Sequence, residues 1–339
     1  MIAVPPIRRV SFIIPVKNDA KRLRASLAAI AANAGAGAAI EIVVADNGST
    51  DDSADVAASA GARVLRLPSL GVSELRNRAA EASTGELLAF VDADNVVAPG
   101  WVASALDVMG DDRTGAAGAL CSAPPDGTWV QAAYDALRGR TIGRSDASWL
   151  GSGNLAVRRV AFEAVHGFDT TLEACEDVDL CQRLRASGWK IIGDERLASV
   201  HLGDPPTLRA LFRGERWRGR DNLKVSLRGT MTLRDLPSML IPVLDLAAAG
   251  AIVWGLVTWP LEGRPAAYMA LAGVAIIAGF AALRVLRRML SGALRPGAIA
   301  RTFAVALTYD VARALAIVWP GAHHRTTGAP KDASGVAIT

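Results

Sequence analysis

At 339 residues the chain has room for one large domain with an appendage, or for two modest domains. With 51% hydrophobic and 21% charged residues and a mean hydropathy of +0.26, it is too apolar on average for an ordinary soluble enzyme. The net charge of +4 is mild, and the basic residues gather at 209–228 and 284–301, beside apolar segments; that placement suits anionic membrane lipids and not a nucleic-acid partner.

The N-terminus, MIAVPPIRRVSFIIPVKND, lacks a long apolar stretch behind a basic region and is read as a tail entering a strand, not a signal peptide. Three cysteines, Cys121, Cys175 and Cys181, give no disulfide framework and no metal-binding pair. Val10 to Val16 is a β-rich run, Lys21 to Ala32 a helix, Glu41 to Ala45 a buried strand, and Asp51 to Ala60 a helix. Ala62 to Leu67 reads as a strand, Ser73 to Ala82 as a helix, and Glu86 to Val91 as a third buried strand. Continuous apolar strands alternating with helices predict an α/β fold with a mostly parallel sheet covered on both faces. From Gly110 to Ser148 the pattern weakens apart from a helix at Trp129 to Arg138. Gly151 to Val157 is a loosened turn running into a strand, Val160 to Val165 a short helix and Asp177 to Ser187 a longer one. Short closing strands follow at Trp189 to Ile192 and Leu197 to His201.

Three apolar stretches come next: 236–259, interrupted by Pro237, Pro242 and Asp245; 266–283, free of charge; and 298–319, carrying Arg301, Asp310 and Arg313. A helix of about 20 residues crosses a bilayer, so 236–319 is read as a membrane domain of two or three helices. The third is a span whose charges face other helices, or an interfacial helix. Arg284, Arg287, Arg288, Arg295 and Arg301 border the second and third stretches, whereas the short loop Pro260 to Pro265 holds only Glu262 and Arg264. By the positive-inside rule the arginine-rich side is cytoplasmic, and two spans leave the N-terminal domain there too, as a multi-pass protein of the cell membrane. Residues 209–230 form a basic juxtamembrane segment, most of whose arginines are expected on an amphipathic helix at the membrane surface. Residues 320–339 are a polar tail expected to be disordered.

Three groups of acids carry chemistry. Asp92 and Asp94 flank one residue at the end of a buried strand; on extended backbone both point one way and suit Mg2+ or Mn2+ beside a diphosphate. Asp46 ends the second strand, where an acid accepts hydrogen bonds from a base or ribose. Glu176 and Asp177 open a helix and are candidates for a general base that takes a proton from an acceptor hydroxyl, with its pKa raised by a neighbouring acid or diphosphate.

The order of these motifs resembles glycosyltransferase family 2, the inverting GT-A enzymes, from about Val10 to about Asn222. The resemblance rests on SFIIPVKND, VVADNGSTDDS, GVSELRNRAAEASTGELLAFVDADN, GSGNLAVRR, GFD and EDVDLCQRLRASGWKI. It implies a GT-A catalytic domain over 1–230 with the nucleotide of a nucleotide-sugar held by Pro15, Val16 and Asp46. It places Arg76, Asn77 and Asp92 near that donor, and Gly153 and Asn154 near donor sugar or acceptor. It implies a divalent metal on Asp94 and Asp92, with His201 near the metal or diphosphate, and Asp177, beside Glu176, as base. A membrane-borne glycolipid or a cell-envelope glycan precursor is the expected acceptor. Gly214-Glu215-Arg216-Trp217 stands where processive polysaccharide synthases carry a Gln-x-x-Arg-Trp motif, and the missing glutamine argues against that subclass. The rival readings are a polyprenyl-phosphate glycosyltransferase, a nucleotidyltransferase and a non-catalytic membrane scaffold.

Overall fold

The computed structural model describes residues 5–228 and 236–321. The first half winds strand and helix in alternation: β1 (Arg9–Val16), α1 (Ala20–Ala31), β2 (Ala39–Asp46), α2 (Ser53–Ser59), β3 (Arg63–Arg66), α3 (Val72–Glu81) and β4 (Leu87–Val91). β3, β2, β1 and β4 lie side by side and parallel. Each is joined to the next by a helical crossover, as parallel neighbours require. Alternate β1 side chains feed opposite faces of the sheet. Phe12, Ile14 and Val16 join Leu23, Ile30 and Trp101 on one face. Ile13 joins Leu75, Phe90, Phe162 and Leu180 on the other.

The second half supplies the antiparallel neighbours of a sheet that stays mostly parallel, as expected. β5 (Asn95–Val97), α4 (Trp101–Val108) and β6 (Thr114–Gly118) follow β4, and then come α5 (Trp129–Arg138), β7 (Arg144–Asp146) and β8 (Asn154–Arg158). β8 slots between β4 and β6 and runs antiparallel to both. α6 (Arg159–Ala164), α7 (Glu176–Ala186), β9 (Lys190–Asp194) and β10 (Ser199–His201) complete the domain. The sheet is therefore mixed, eight strands in the order β3-β2-β1-β4-β8-β6-β9-β7, with a small antiparallel β10–β5 pair at one end. α4 and β6 were not legible because TGAAG has no β-branched run beyond Thr114. Packing calls for small residues there: a Cβ on Gly115 would stand 2.6 Å from the Trp189 Cβ.

The C-terminal part is helical: α8 (Leu208–Arg218), α9 (Asn222–Ser226), α10 (Leu236–Glu262), α11 (Arg264–Leu290) and α12 (Ile299–Val318). Among the described residues, α10 and α11 are the two helices long and apolar enough to cross a membrane. Their outer faces leave Val253, Trp254, Leu256, Val257 and Leu271 more than half exposed. α10 is not broken by its prolines. Pro237 is the helix's second residue, where no intrahelical N–H is missed, and Pro242 and Pro260 lie towards its two ends. α12 turns two of its three charges inward and leaves Arg301 exposed: Asp310 accepts from Arg284 Nε at 2.8 Å, and Arg313 Nε donates to Glu215 at 2.8 Å. Val305 and Tyr309 of α12 pack with Tyr134 of α5 and with Leu208 and Leu211 of α8. α8 is thus clamped between the α/β domain and α12, and does not present all its arginines on a surface. Only Arg209 and Arg213 are exposed, while Arg216 stacks on Trp319 at 4.0 Å. The expected tail at 320–339 lies outside the described residues from 322 onward.

Candidate active site

β1, β2 and β4 end at one edge of the sheet; Val16 pairs in register with Asp46, and Asp92 directly follows β4. Beyond that edge lies a cavity of about 570 Å³, closed on the far side by α7, α8, α9 and α12. Ligands of open α/β sheets bind at the carboxyl ends of the strands. Pro15, Val16, Arg76, Asp92, Asp94, Gly153, Glu176, Asp177 and His201 all line this cavity.

Asp92 and Asp94 do not share one extended face. The backbone turns at Ala93, with the Asn95 N–H donating to the Asp92 carbonyl at 2.9 Å, so the carboxylates diverge. Asp92 accepts from Arg76 at 2.7 Å, and the same guanidinium donates to Glu176 at 2.7 Å. Arg76 is 3% exposed. It is a buried bridge between the strand-end acids and the α7 acids, and its charge is already spent on two carboxylates. Gly153 makes room for this arrangement, since a Cβ there would stand 2.8 Å from Asp92 Oδ2.

Asp94 faces the other way. Its Oδ2 lies 3.3 Å from His201 Nε2, and His201 Nδ1 is held by Asp204 at 2.7 Å. Asp204 is fully buried and also takes both terminal nitrogens of Arg138. Burial disfavours charge on both groups, but their attraction wins: Asp94 is lowered to about 2, and His201 is raised to about 10 by Asp94 and Asp204. Among the described residues no group of three or more His, Cys, Asp or Glu side chains is arranged to hold a metal ion. Asp92 does not join Asp94 and His201, because Arg76 holds it. The remaining pair is an ion pair as it stands; Asp94 would be the ligand for a divalent cation, and His201 could join it only after giving up its proton, with phosphate and water completing the shell.

Asp177 lies in the first turn of α7, where the helix N-terminus favours negative charge. Its Oδ2 has only a long 3.4 Å contact from the Ser152 N–H. Burial, then the adjacent Glu176 charge, raise it to about 7, the range of an effective base at neutral pH. Glu176 is buried and tied to Arg76, with Ser152 Oγ at 3.2 Å.

Three predicted residues are not on the cavity wall. Asp46 is 1% exposed; one oxygen accepts from Ser49 N–H and the other has no partner. Its neighbour Asn47 lines the cavity instead. Asn77 is taken up by Phe168, whose carbonyl and N–H it binds at 2.9 Å each. Asn154 is saturated in the core by Trp101, Ala119 and Leu197. Conversely, Trp149, Trp217, Arg218, Tyr309 and Arg313 line the cavity and were not singled out as site residues. The available signal for Arg313 was its charge inside an apolar helix.

The glycosyl transferase family 2 model matches residues 11–155. Pre-mycofactocin glycosyltransferase of Mycobacterium tuberculosis is 30% identical over 202 residues, covering 55% of this chain and 41% of its own length. The chain therefore spans less than half of that relative. Glycosyltransferase AglE of Haloferax volcanii is 26% identical over 248 residues, 69% of this chain and 80% of AglE. Among solved structures, a Pyrobaculum calidifontis mannosyltransferase, PcManGT, in complex with GDP-Man and Mn2+, superposes with a TM-score of 0.60 over 93% of this chain and 88% of that one, at 18% identity. That likeness concerns the fold, from sheet through helical tail. Motif order, sheet and family match agree: residues 11–155 carry the glycosyltransferase family 2 pattern, and the chain has the GT-A fold.

Proposed function

We propose that the chain is an inverting glycosyltransferase that moves a sugar from a nucleotide-sugar to a hydroxyl acceptor at the cytoplasmic face of a membrane. The observation that carries this reading is one cavity holding both a lightly hydrogen-bonded carboxylate, Asp177, and, apart from it, the Asp94–His201 pair. The donor lies across the ends of β1 and β4, with Pro15 and Val16 against the nucleotide. Asp177 accepts the proton of the acceptor hydroxyl as that oxygen attacks the anomeric carbon. The bond from that carbon to the nucleoside diphosphate breaks, and its electron pair leaves on the phosphate oxygen. Asp94, with His201 once it has lost its proton, would hold a divalent cation, which would supply positive charge for the departing diphosphate. Arg76 keeps Glu176 from competing for the proton by holding it in an ion pair. A single displacement inverts the anomeric centre. α10 and α11, with their exposed apolar faces, anchor the domain to the bilayer, and the arginines ending α11 set its cytoplasmic side.

The test is nucleoside diphosphate release from UDP-, GDP- and dTDP-sugars by detergent-solubilised full-length protein, with Mn2+ or Mg2+ and a membrane lipid extract. Turnover of one donor, lost with chelator and lowered about 10³-fold in Asp177→Ala and strongly in Asp94→Ala, is the expected result. Retained anomeric configuration in the product, read by NMR, overturns the inverting mechanism. Turnover equal in wild type and Asp177→Ala overturns the assignment of the base.

A further inference from the structure

The helical wall of the cavity carries a second charged group that the transfer chemistry above does not use. Arg218 ends α8, and Arg313 sits in the last third of α12, 95 residues later; both line the cavity. Between them lies Glu215, fully buried. It accepts from Arg218 Nη1 at 2.8 Å, from Arg313 Nε at 2.8 Å and from the Tyr134 hydroxyl at 2.6 Å. Arg313 also donates to the Arg218 carbonyl at 3.2 Å. One carboxylate thus orients two guanidinium groups and neutralises one of them, which leaves this cluster with a net positive charge. Tyr309 stacks on Arg313 at 5.2 Å and adds an aromatic surface to the same wall.

The position of the pair selects its ligand. The Arg218 carbonyl is 3.5 Å from Cys175 Sγ, and Cys175 directly precedes Glu176 and Asp177. The arginines therefore adjoin the base, whereas the strand ends assigned to the nucleotide form the other wall. Arg313 belongs to a helix packed against α10 and α11, the two helices fit to enter a bilayer. Paired guanidinium groups recognise phosphate by directed, charge-assisted hydrogen bonds.

We propose that Arg218 and Arg313 form a phosphate subsite for the acceptor, which is a lipid whose hydroxyl-bearing headgroup is joined to its chain through a phosphate. This deepens the proposed function and rests on it: the phosphate is held at the membrane side while Asp177 takes the proton of a hydroxyl further in. Glu215 is a positioning residue that fixes the fork.

The test measures binding without turnover, so it stands or falls separately from the transferase reading. Full-length protein in neutral maltoside micelles is titrated calorimetrically with decyl phosphate, with decanol as the neutral control, and separately with UDP and GDP in the presence of Mn2+. The expected result is saturable binding of decyl phosphate and none of decanol. Arg218→Gln and Arg313→Gln each weaken decyl phosphate at least tenfold, Arg313→Lys weakens it less, and nucleoside diphosphate binding stays within twofold. Arg218→Gln keeps the backbone carbonyl that Arg313 uses, so it tests the site even if Arg313→Gln disturbs the docking of α12. Unchanged decyl phosphate binding in Arg218→Gln overturns the proposal, as does failure of the wild type to bind it. A parallel loss of UDP or GDP binding overturns it too, by giving the arginines to the donor diphosphate.

Discussion

The two walls of the cavity are built in different ways. The strand wall is local: Pro15, Val16 and Asp92 are the last residues of adjacent strands or follow them directly, and the sheet register places them. The helical wall is assembled from α7, α8 and α12, and its central contact, Arg313 to Glu215, spans 98 residues. Both contacts nevertheless use the same device, one buried ion shared by two opposite ones. Arg76 ties Asp92 of the strand wall to Glu176 of α7, and Glu215 holds Arg218 and Arg313 together within the helical wall. The difference teaches where alignment and anchoring are separated: the Arg76 bridge aligns the acids of strand ends and α7, whereas α8 and α12 tie the cavity to the two helices long and apolar enough to cross a membrane.

Breaking the first bridge has the largest expected effect. Arg76→Gln leaves Asp92 and the buried Glu176 without their counter-ion, which costs about 3–5 kcal/mol. Calorimetry of the full chain should show the α/β domain's transition move down by many degrees. Arg76 also holds the Asp177 pKa down against burial and Glu176. In Arg76→Gln protein that still folds, the acid limb of the activity profile should therefore shift to higher pH. An unmoved limb would show that Arg76 does not act on the base. Glu215→Gln is the counterpart on the helical wall: it leaves two guanidinium groups beside a neutral amide and should cost about 3 kcal/mol. If the walls are separable, this loss appears as earlier release of α12, followed by amide exchange, while the sheet keeps its protection. Simultaneous loss of protection in sheet and α12 would mean that the walls are one cooperative unit.

This contrast also explains what the sequence disclosed. That Asp92, Asp94 and Asp177 face one cavity was legible because each sits at the boundary of an element whose pattern is strong; α5 was read with its observed ends, Trp129–Arg138. The roles of Arg76 and Asn77 were not legible. Nothing in LRNRAA says that one side chain bridges acids 16 and 100 residues away, or that the next binds the Phe168 backbone. Asp92 and Asp94 were placed on one face by strand geometry, and a turn at Ala93 separates them. Arg218 was visible only as a charge of the basic segment ahead of the apolar stretches, and Arg313 only as a charge inside the third of them. Which charges meet is decided by how α12 docks, and periodicity carries no information on that.

Asp177 offers a smaller and more selective test. Its folded pKa, about 7, lies above the ordinary carboxylate value, so the folded state favours the protonated acid. That contribution is complete below the unfolded pKa near 4 and is lost as pH rises through 7. Asp177→Asn is neutral throughout. It should match wild-type stability near pH 3.5 and exceed it by about 2 kcal/mol at pH 8, read by chemical denaturation at the two pH values. A variant no more stable than wild type at pH 8 would show that the carboxylate is not under the strain its surroundings imply. Wild-type activity should fall below pH 7 for the same reason, because the protonated acid cannot accept a proton.

The smallest expected effect probes how the helical wall is held from below. α5 begins with a capping box: Thr128 accepts from the Gln131 N–H, and the Gln131 side chain accepts from the Thr128 N–H at 2.8 Å. The helix so started carries Tyr134, which donates to Glu215, and Arg138, which grips Asp204 behind His201. Thr128 Oγ1 also donates to the Pro206 carbonyl at 2.9 Å, fastening the approach to α8. Thr128→Ala should cost about 1 kcal/mol of stability. Because α5 touches both walls through these two side chains, the comparison predicts more than a uniform loss. Protection should fall first in α8, which loses the Pro206 tether, while β4 and β8, deep in the sheet, keep theirs. Hydrogen exchange resolved by segment reads this directly. Equal loosening of α8 and the sheet would place the seam between the walls elsewhere than at α5.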